Sequence, residues 1–204
     1  MRVGGDDMGR KLVLASASQR RLKLLQQVGI EVSLVMPTEL DETSLPREKP
    51  RHLAERLARA KLAAALSSLR AGDHGLDCKE ILVLAADTVV SVGRRLLPKA
   101  LCPEEAFDCL RMLSGRTHFV RTAVAASSKF SDKARIRVSE TRVYFKRLSD
   151  EEINRYVASR EWYGKAGGYG LQGLADTFVR KLSGSYTGVM GLPLLETIGL
   201  ITGE

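Results

Sequence analysis

ILVLAADTVV, residues 81–90, is the stretch whose reading decides the fold. Residues 81–86 form the most continuous β-like run in the chain and read as a central strand. The run ends at Asp87 and Thr88, and residues 89–92 read as a second extended piece before a Gly-containing turn. An acidic residue directly after such a strand stands at its C-terminal edge, where α/β sheets usually place their sites. A carboxylate there can hold Mg²⁺ or orient a water molecule. The competing reading is an Asp that caps a turn.

Working back toward the N-terminus, KLVLA (11–15) reads as a buried strand. Leu22, Leu24, Leu25 and Val28 then recur at helical spacing over 18–28, with Ser18 as N-cap and Gly29 after the helix. A second strand is expected at 31–35. Strand, tight turn and helix place Ser16, Ser18, Arg20 and Arg21 around a helix N-terminus, a ready anion site. Cations are disfavoured there by the helix dipole, so a bound anion would account for at least one arginine; otherwise both lie in solvent. Residues 36–50 carry three prolines and Asp41-Glu42 and read as a loop. Glu42 there is either a second carboxylate for a metal near phosphates or a solvated loop residue. A long helix follows over 51–70, then a Gly/Asp/His linker to Lys79. Lys61 shares a face of that helix with Ala54, Leu57 and Ala58, so it is either partly desolvated and aimed into a cleft or snorkelling to solvent.

In the other direction, Lys99 lies between two prolines as a further phosphate contact or an ordinary loop lysine. Helices are expected at 103–113 and 150–159, and extended segments at 117–127, 134–146 and 176–182. An apolar C-terminal helix is expected from Met190, with Pro193 near its first turn. Between Gly164 and Pro193 the sequence holds eight glycines in thirty residues, interleaved with Lys165, Tyr169, Gln172, Ser185 and Tyr186. Such density brings backbone N–H groups close to a ligand, and the mixture suits an anion plus a flat heterocycle. A turn-rich hairpin followed by a helix cap reads equally well. The alternation of strands and helices predicts an α/β fold, a mixed domain built on one long sheet flanked by helices and bent into two lobes with a cleft between them.

At 204 residues and 44% hydrophobic composition, a leader over 1–10 and a single domain over 11–204 are expected. The net charge of +8 draws polyanions, whether nucleotides, nucleic acid or anionic membrane. Cys78, Cys102 and Cys109 cannot all pair and form no C-x-x-C, which fits free thiols in a reducing compartment, with Cys102 and Cys109 on one helix face. His52, His74 and His118 show no zinc-site spacing. No apolar signal core or membrane-length run occurs, so a cytoplasmic protein without a membrane partner is expected.

The blocks LVLASASQRR (12–21), LAERLARAKLAAA (53–65), VLAADTVV (83–90), LSGRTHFVRTAVA (113–125) and the Gly-rich segment together resemble the Maf family of nucleotide pyrophosphatases. The resemblance implies a fold related to inosine-triphosphate pyrophosphatases and hydrolysis of nucleoside triphosphates to a monophosphate and pyrophosphate. It implies a divalent cation as cofactor, Mg²⁺, Mn²⁺ or Co²⁺, and is compatible with a homodimer. It further implies Asp87 as catalytic carboxylate and metal ligand, Glu42 as a metal-side carboxylate, and Lys61 and Lys99 as phosphate-neutralising residues. Ser16, Arg20, Arg21, Thr88, Lys165 and Gln172 would contact substrate. YGLQG, with Gln172, matches the branch acting on dTTP and UTP, and an amide has the donor and acceptor to read a pyrimidine edge. After Lys99 the chain runs Ala100-Leu101 where the family usually has proline and an acidic residue, which predicts a less rigid loop. The rival reading is a basic nucleic-acid-binding or cell-division regulatory protein without turnover. The missing basic aromatic stripe and helix-turn-helix signature count against nucleic acid as partner. No P-loop motif is present, which disfavours cleavage at the γ-phosphate.

Overall fold

The computed structural model describes residues 10–72, 74, 76, 80–131 and 133–203. Residues 1–9, Cys78 and most of the linker after residue 72 lie outside them. Strand β1 (Arg10–Ala15) leads into α1 (Gln19–Gln27), short β2 (Leu34–Val35) and long α2 (Pro50–Ala71). Then come β3 (Glu80–Val92), β4 (Arg95–Leu97), α3 (Pro103–Leu113), β5 (Thr117–Ser128), β6 (Arg135–Phe145) and α4 (Asp150–Ala158). A 3₁₀ turn (Leu174–Phe178), β7 (Val179–Ser183), α5 (Tyr186–Val189) and α6 (Leu194–Thr202) complete the described chain. The seven strands form one mixed sheet in the order β2-β1-β3-β5-β6-β7, with β4 paired to β3.

Three expectations are corrected. Residues 81–92 are not two extended pieces, and Asp87 is not at a strand end. β3 runs unbroken for 13 residues, with Asp87 opposite Ala123 and Thr88 opposite Thr122 on β5. Continuous pairing to β5 carries the strand through a residue with poor strand preference. Second, Arg10 does not belong to the leader: it starts β1 and forms an ion pair with Glu80. Third, the strand expected at 31–35 contracts to Leu34–Val35, and the segment expected at 176–182 joins the sheet only from Val179, after the 3₁₀ turn.

The register creates a gap in the sheet. β1 pairs parallel with β3 up to Ala15 opposite Ala85, and β4 joins only at Val90 opposite Leu97. Among the described residues, 86–89 therefore have a ladder partner on the β5 side alone. Side chains alternate across this stretch. Ile81, Val83, Ala85 and Val89 pack under α2 with its buried Leu53, Leu57, Leu62 and Leu69. Leu82, Leu84 and Ala86 pack on the opposite face with Leu24 and Leu25 of α1 and Leu200 and Ile201 of α6. Farther along, Val90, Val120, Val143 and Phe145 form a third cluster with α3, α4, Trp162 and Tyr169. Helices thus flank the sheet, α1 and α6 against one core cluster and α3 and α4 against another.

His118 lies fully buried in the third cluster, edge-on to Phe145 and Tyr169 at 4.9 and 5.4 Å. One ring nitrogen meets the Tyr169 hydroxyl at 2.8 Å, and Nδ1 has no partner among the described residues. Burial pushes its pKa down to about 4, from 6.5 in the unfolded chain. Between those values the unfolded chain binds the extra proton, so stability is full above pH 6.5 and declines as pH falls toward 4. The loss reaches about 3 kcal/mol. Chemical denaturation at pH 7 and pH 4.5 should show this for the wild type, with a smaller loss for His118→Gln. Equal losses in the two proteins would contradict it.

Candidate active site

α2 buries a stripe that includes Leu57, Ala58, Leu62 and Ala65, and Lys61 occupies a place in that stripe where an apolar residue would be expected. A lone ammonium there would be strongly disfavoured. It is not alone. Its Nζ lies 2.5 Å from Asp87 Oδ1 and 2.7 Å from Glu42 Oε1. Asp87 is 3% exposed and Lys61 7%. Strand alternation turns Asp87 toward α2, and the missing neighbour at residues 86–89 opens that edge to the cavity. The snorkelling alternative for Lys61 and the turn-cap alternative for Asp87 are both excluded.

Glu42 also accepts a hydrogen bond from Lys99 through its other oxygen. Burial would push the Glu42 carboxyl up, but hydrogen bonds from the two lysines outweigh it and hold the group below the usual range. The loop that carries Glu42 is pinned by Arg56 of α2. Its Nε and Nη2 donate to the two carboxylate oxygens of Glu48 at 2.8 and 2.9 Å, and Nη2 also donates to the Thr43 carbonyl at 2.9 Å. Chiefly through those Arg56 bonds, the Glu48 carboxyl is held down to about 2. Glu42 is a partner to both lysines, not a solvated loop residue.

On the other face of β3, Arg21 is buried at the start of α1. Its Nε donates to Gly191 O at 2.7 Å, Nη1 to Ser16 Oγ at 3.0 Å and Nη2 to Thr88 Oγ1 at 3.3 Å. Those bonds engage all three guanidinium nitrogens, and its pKa is lowered by burial, with Asp87 opposing the shift. Gly191 has a φ of +111°, and a Cβ there would lie 3.5 Å from both Arg21 Nε and Thr88 Oγ1. Arg20 is only half-buried and also lowered chiefly by burial, and it lines the cavity beside the N-terminus of α1. Ser18 occupies the N-cap position but its side chain makes no capping bond.

The far wall is the Gly-rich loop. Gly164 N–H donates to Ala100 O at 2.9 Å, Ala100 N–H to Lys165 O at 3.3 Å and Gly167 N–H to Pro98 O at 2.9 Å. Lys99 and Ala166 bridge between these bonds. Ala100, where the sequence departs from the family pattern, is thus tied to the loop by two backbone bonds, against the looseness expected there. Gly170 N–H donates to the buried Tyr156 hydroxyl at 3.0 Å. A Cβ on Gly170 would meet Lys165 Cε at 2.8 Å, so the glycine lets the lysine stem pass. The Lys165 amine donates to the Glu161 carbonyl, and burial, then Arg20, lower its pKa.

Together these elements enclose a cavity of about 530 Å³. Asp87, Lys61, Lys99, Glu42, Ser16, Arg20, Arg21, Thr88, Lys165 and Gln172 all line it. Ser185 and Tyr186 do not: Ser185 caps α5 by accepting from Gly188 N–H. Sequence reasoning missed Arg56, Glu48, Thr122 and the exposed Tyr163 at the rim. Thr122 meets Gly188 from a remote segment, Glu48 and Arg56 pair between a loop and α2, and no sequence motif marks Tyr163. Cys102 is the N-cap of α3 and only half-buried, while Cys109 is buried in the core and its thiol is pushed up to about 11, so the two do not share a core face.

The family model described as Maf-like protein matches residues 11–204. This chain belongs to the Maf-like protein family. A protein of Rhodopseudomonas palustris (strain ATCC BAA-98 / CGA009) named dTTP/UTP pyrophosphatase is 57% identical over 198 residues, covering 97% of this chain and 94% of that one. Proteins of the same name from Chelativorans sp. (strain BNC1) and Nitrobacter winogradskyi are 55% and 56% identical over 194 residues, each spanning 95% of this chain and 91% and 92% of their own lengths. Among solved structures, a HAM1 protein from Coxiella burnetii matches with a TM-score of 0.42 at 15% identity, over 68% of this chain and 74% of that one.

The two lysines of this Maf-like chain should differ in their effect on stability. Lys61→Met leaves Asp87 buried without its cation and should cost about 3–5 kcal/mol. Lys99→Met removes a pair whose lysine is 45% exposed and should cost less than about 1 kcal/mol. Urea denaturation of the two variants measures the contrast, and equal losses would contradict the assignment of Lys61 to the core.

Proposed function

We propose that this chain hydrolyses the pyrimidine nucleoside triphosphates dTTP and UTP to the monophosphate and pyrophosphate. The observation that carries the reading is the buried Lys61 ammonium shared by Asp87 and Glu42, in a cavity also lined by Arg20, Lys99 and Lys165. A triphosphate needs several cations around it. In this Maf-like chain they come from four different elements and converge on one cavity. The relatives' name, dTTP/UTP pyrophosphatase, supports the same substrates. Gln172 and the exposed Tyr163 ring lie at the rim, where an amide and an aromatic face suit a pyrimidine base.

In this reading the triphosphate oxygens compete with Glu42 for Lys61 and Lys99. As the lysines turn to phosphate, Glu42 is released beside Asp87. These two carboxylates offer hard oxygen donors, which suit Mg²⁺, Mn²⁺ or Co²⁺ completed by phosphate oxygens and water. Among the described residues no group of three His, Cys, Asp or Glu could hold a metal without such help. The residues therefore fit a cation that enters with the nucleotide and, once bound, withdraws charge from the phosphates. Asp87 orients a water toward the α-phosphorus and takes its proton; the new P–O bond forms as the bond from the α-phosphorus to the bridging oxygen breaks. Pyrophosphate leaves with that oxygen, its charge held by Lys99, Lys165 and Arg20. No helix among the described residues is long and apolar enough to cross a membrane, and the setting we infer is the cytoplasm. One copy of the chain carries every residue named, so a homodimer is compatible with this reading but not required by it.

Pyrophosphate release from a panel of nucleoside triphosphates with Mg²⁺ tests the proposal. dTTP and UTP should turn over fastest, and Asp87→Asn should lower kcat by about 10²–10⁴-fold. Chelation of the divalent cation should abolish the signal. A wild-type protein silent on the whole panel, or an Asp87→Asn variant as fast as wild type, would contradict it.

A further inference from the structure

Gln172 stands in a stretch with little backbone order of its own. Five of the ten residues 164–173 are glycines. Such a segment loses more conformational freedom on folding than any other, so it keeps one shape only where it is tied down. Two backbone bonds bracket Gln172. On one side the Gly170 N–H donates to the Tyr156 hydroxyl at 3.0 Å; on the other the Leu174 N–H donates to Glu161 Oε2 at 3.0 Å. Both acceptors belong to one platform, since Tyr156 is in α4 and Glu161 follows its C-terminal end. That platform is firm. The Glu161 N–H donates to Ser159 Oγ at 3.2 Å, and the buried Trp162 indole donates to the Val157 carbonyl at 2.7 Å.

Glu161 holds the Gly-rich loop at both ends. Its backbone carbonyl accepts from the Lys165 ammonium near the start, and its carboxylate accepts from Leu174 at the finish. Gly173 makes the second contact possible: its φ is +98°, and a Cβ there would lie 2.5 Å from Glu161 Oε2. The carboxylate thus packs against the residue that follows Gln172. Glu161 itself does not line the cavity, whereas Lys165 and Gln172 both do. We propose that Glu161 is a positioning residue for base recognition, which fixes Gln172 at the rim without touching the substrate. The carbonyl that holds Lys165 survives any change of the Glu161 side chain, so the phosphate end of the loop keeps its tie. Loss of the carboxylate should therefore fall on the base end. This inference rests on the reading of Gln172 as the group that meets the pyrimidine edge, and deepens it.

Steady-state kinetics with dTTP on wild type, Glu161→Ala, Glu161→Gln, Gln172→Ala and the Glu161→Ala/Gln172→Ala double variant tests it. Turnover by wild type examines the nucleotide reading separately; its absence would sink that reading and not merely this inference. Glu161→Ala should lower kcat/KM about fivefold, the worth of one hydrogen bond, and the loss should appear in KM rather than kcat. Glu161→Gln keeps an acceptor oxygen and should recover most of it. In the Gln172→Ala background the same Glu161→Ala change should cost less than about twofold, because the group it positions is gone. Amide hydrogen exchange at Leu174 gives a readout free of activity: slow in wild type and Glu161→Gln, faster in Glu161→Ala. The proposal is overturned if Glu161→Ala leaves KM unchanged, if its cost is as large without Gln172 as with it, or if Leu174 exchanges equally in all three proteins.

Discussion

Lys61 inside the α2–sheet interface is the constraint on which the rest of the structure depends. An ammonium packed among Leu57, Ala58, Leu62 and Ala65 is tolerable only with carboxylates against it. Asp87 has the converse problem, a carboxylate in the middle of a 13-residue strand. Each makes the other possible. Glu42 completes the arrangement from a loop with no secondary structure of its own, held in place by the Glu48–Arg56 pair. The cluster of two lysines and two carboxylates is balanced in charge before any ligand arrives. In the proposed reading, an incoming polyphosphate would exchange one set of anionic partners for another and would not meet bare buried cations.

The sheet adds a division of labour. Because β1 stops at Ala15 and β4 begins only opposite Val90, residues 86–89 face an opening, and adjacent side chains there point to opposite faces. Asp87 turns to α2 and the charged cluster. Thr88 turns to Arg21, Thr122 and the loop at Gly188 and Gly191. Two consecutive residues thus join a charge system suited to phosphate chemistry and a neutral hydrogen-bonded system suited to recognition. Arg21 belongs to the second: its three guanidinium nitrogens bond to Gly191, Ser16 and Thr88, which makes it a clamp between α1, β3 and the Gly191 turn, while half-buried Arg20 lines the cavity.

The parts of this design that were legible in the sequence share a physical reason. Helices α2, α3 and α4 follow local periodicity and start signals, such as Pro103 at the start of α3 and the Ser149 capping box of α4. The ten expected site residues all line the cavity; Lys61 on an apolar face, Asp87 after an apolar run and arginines at a helix start stood out because local rules disfavour charged side chains there, whereas Thr88 was named only through the family resemblance. The placement of Asp87 within its strand was not legible, since it depends on where β1 and β4 end relative to β3. Thr122 and Glu48 were equally hidden. A threonine in a strand and a glutamate in a loop look ordinary until the chain brings Gly188 and Arg56 beside them. The 3₁₀ turn at Leu174–Phe178 replaced the start of a strand because Ala175 and Phe178 turn into the third core cluster.

Membership in the Maf-like family and the geometry around Lys61 converge on one central claim, that water attacks the α-phosphorus of a pyrimidine nucleoside triphosphate. Hydrolysis of dTTP in ¹⁸O-labelled water, with mass analysis of both products, tests that claim most directly. The account predicts one labelled oxygen in the thymidine monophosphate and none in the pyrophosphate. Label in the pyrophosphate, or release of inorganic phosphate with thymidine diphosphate, would contradict it.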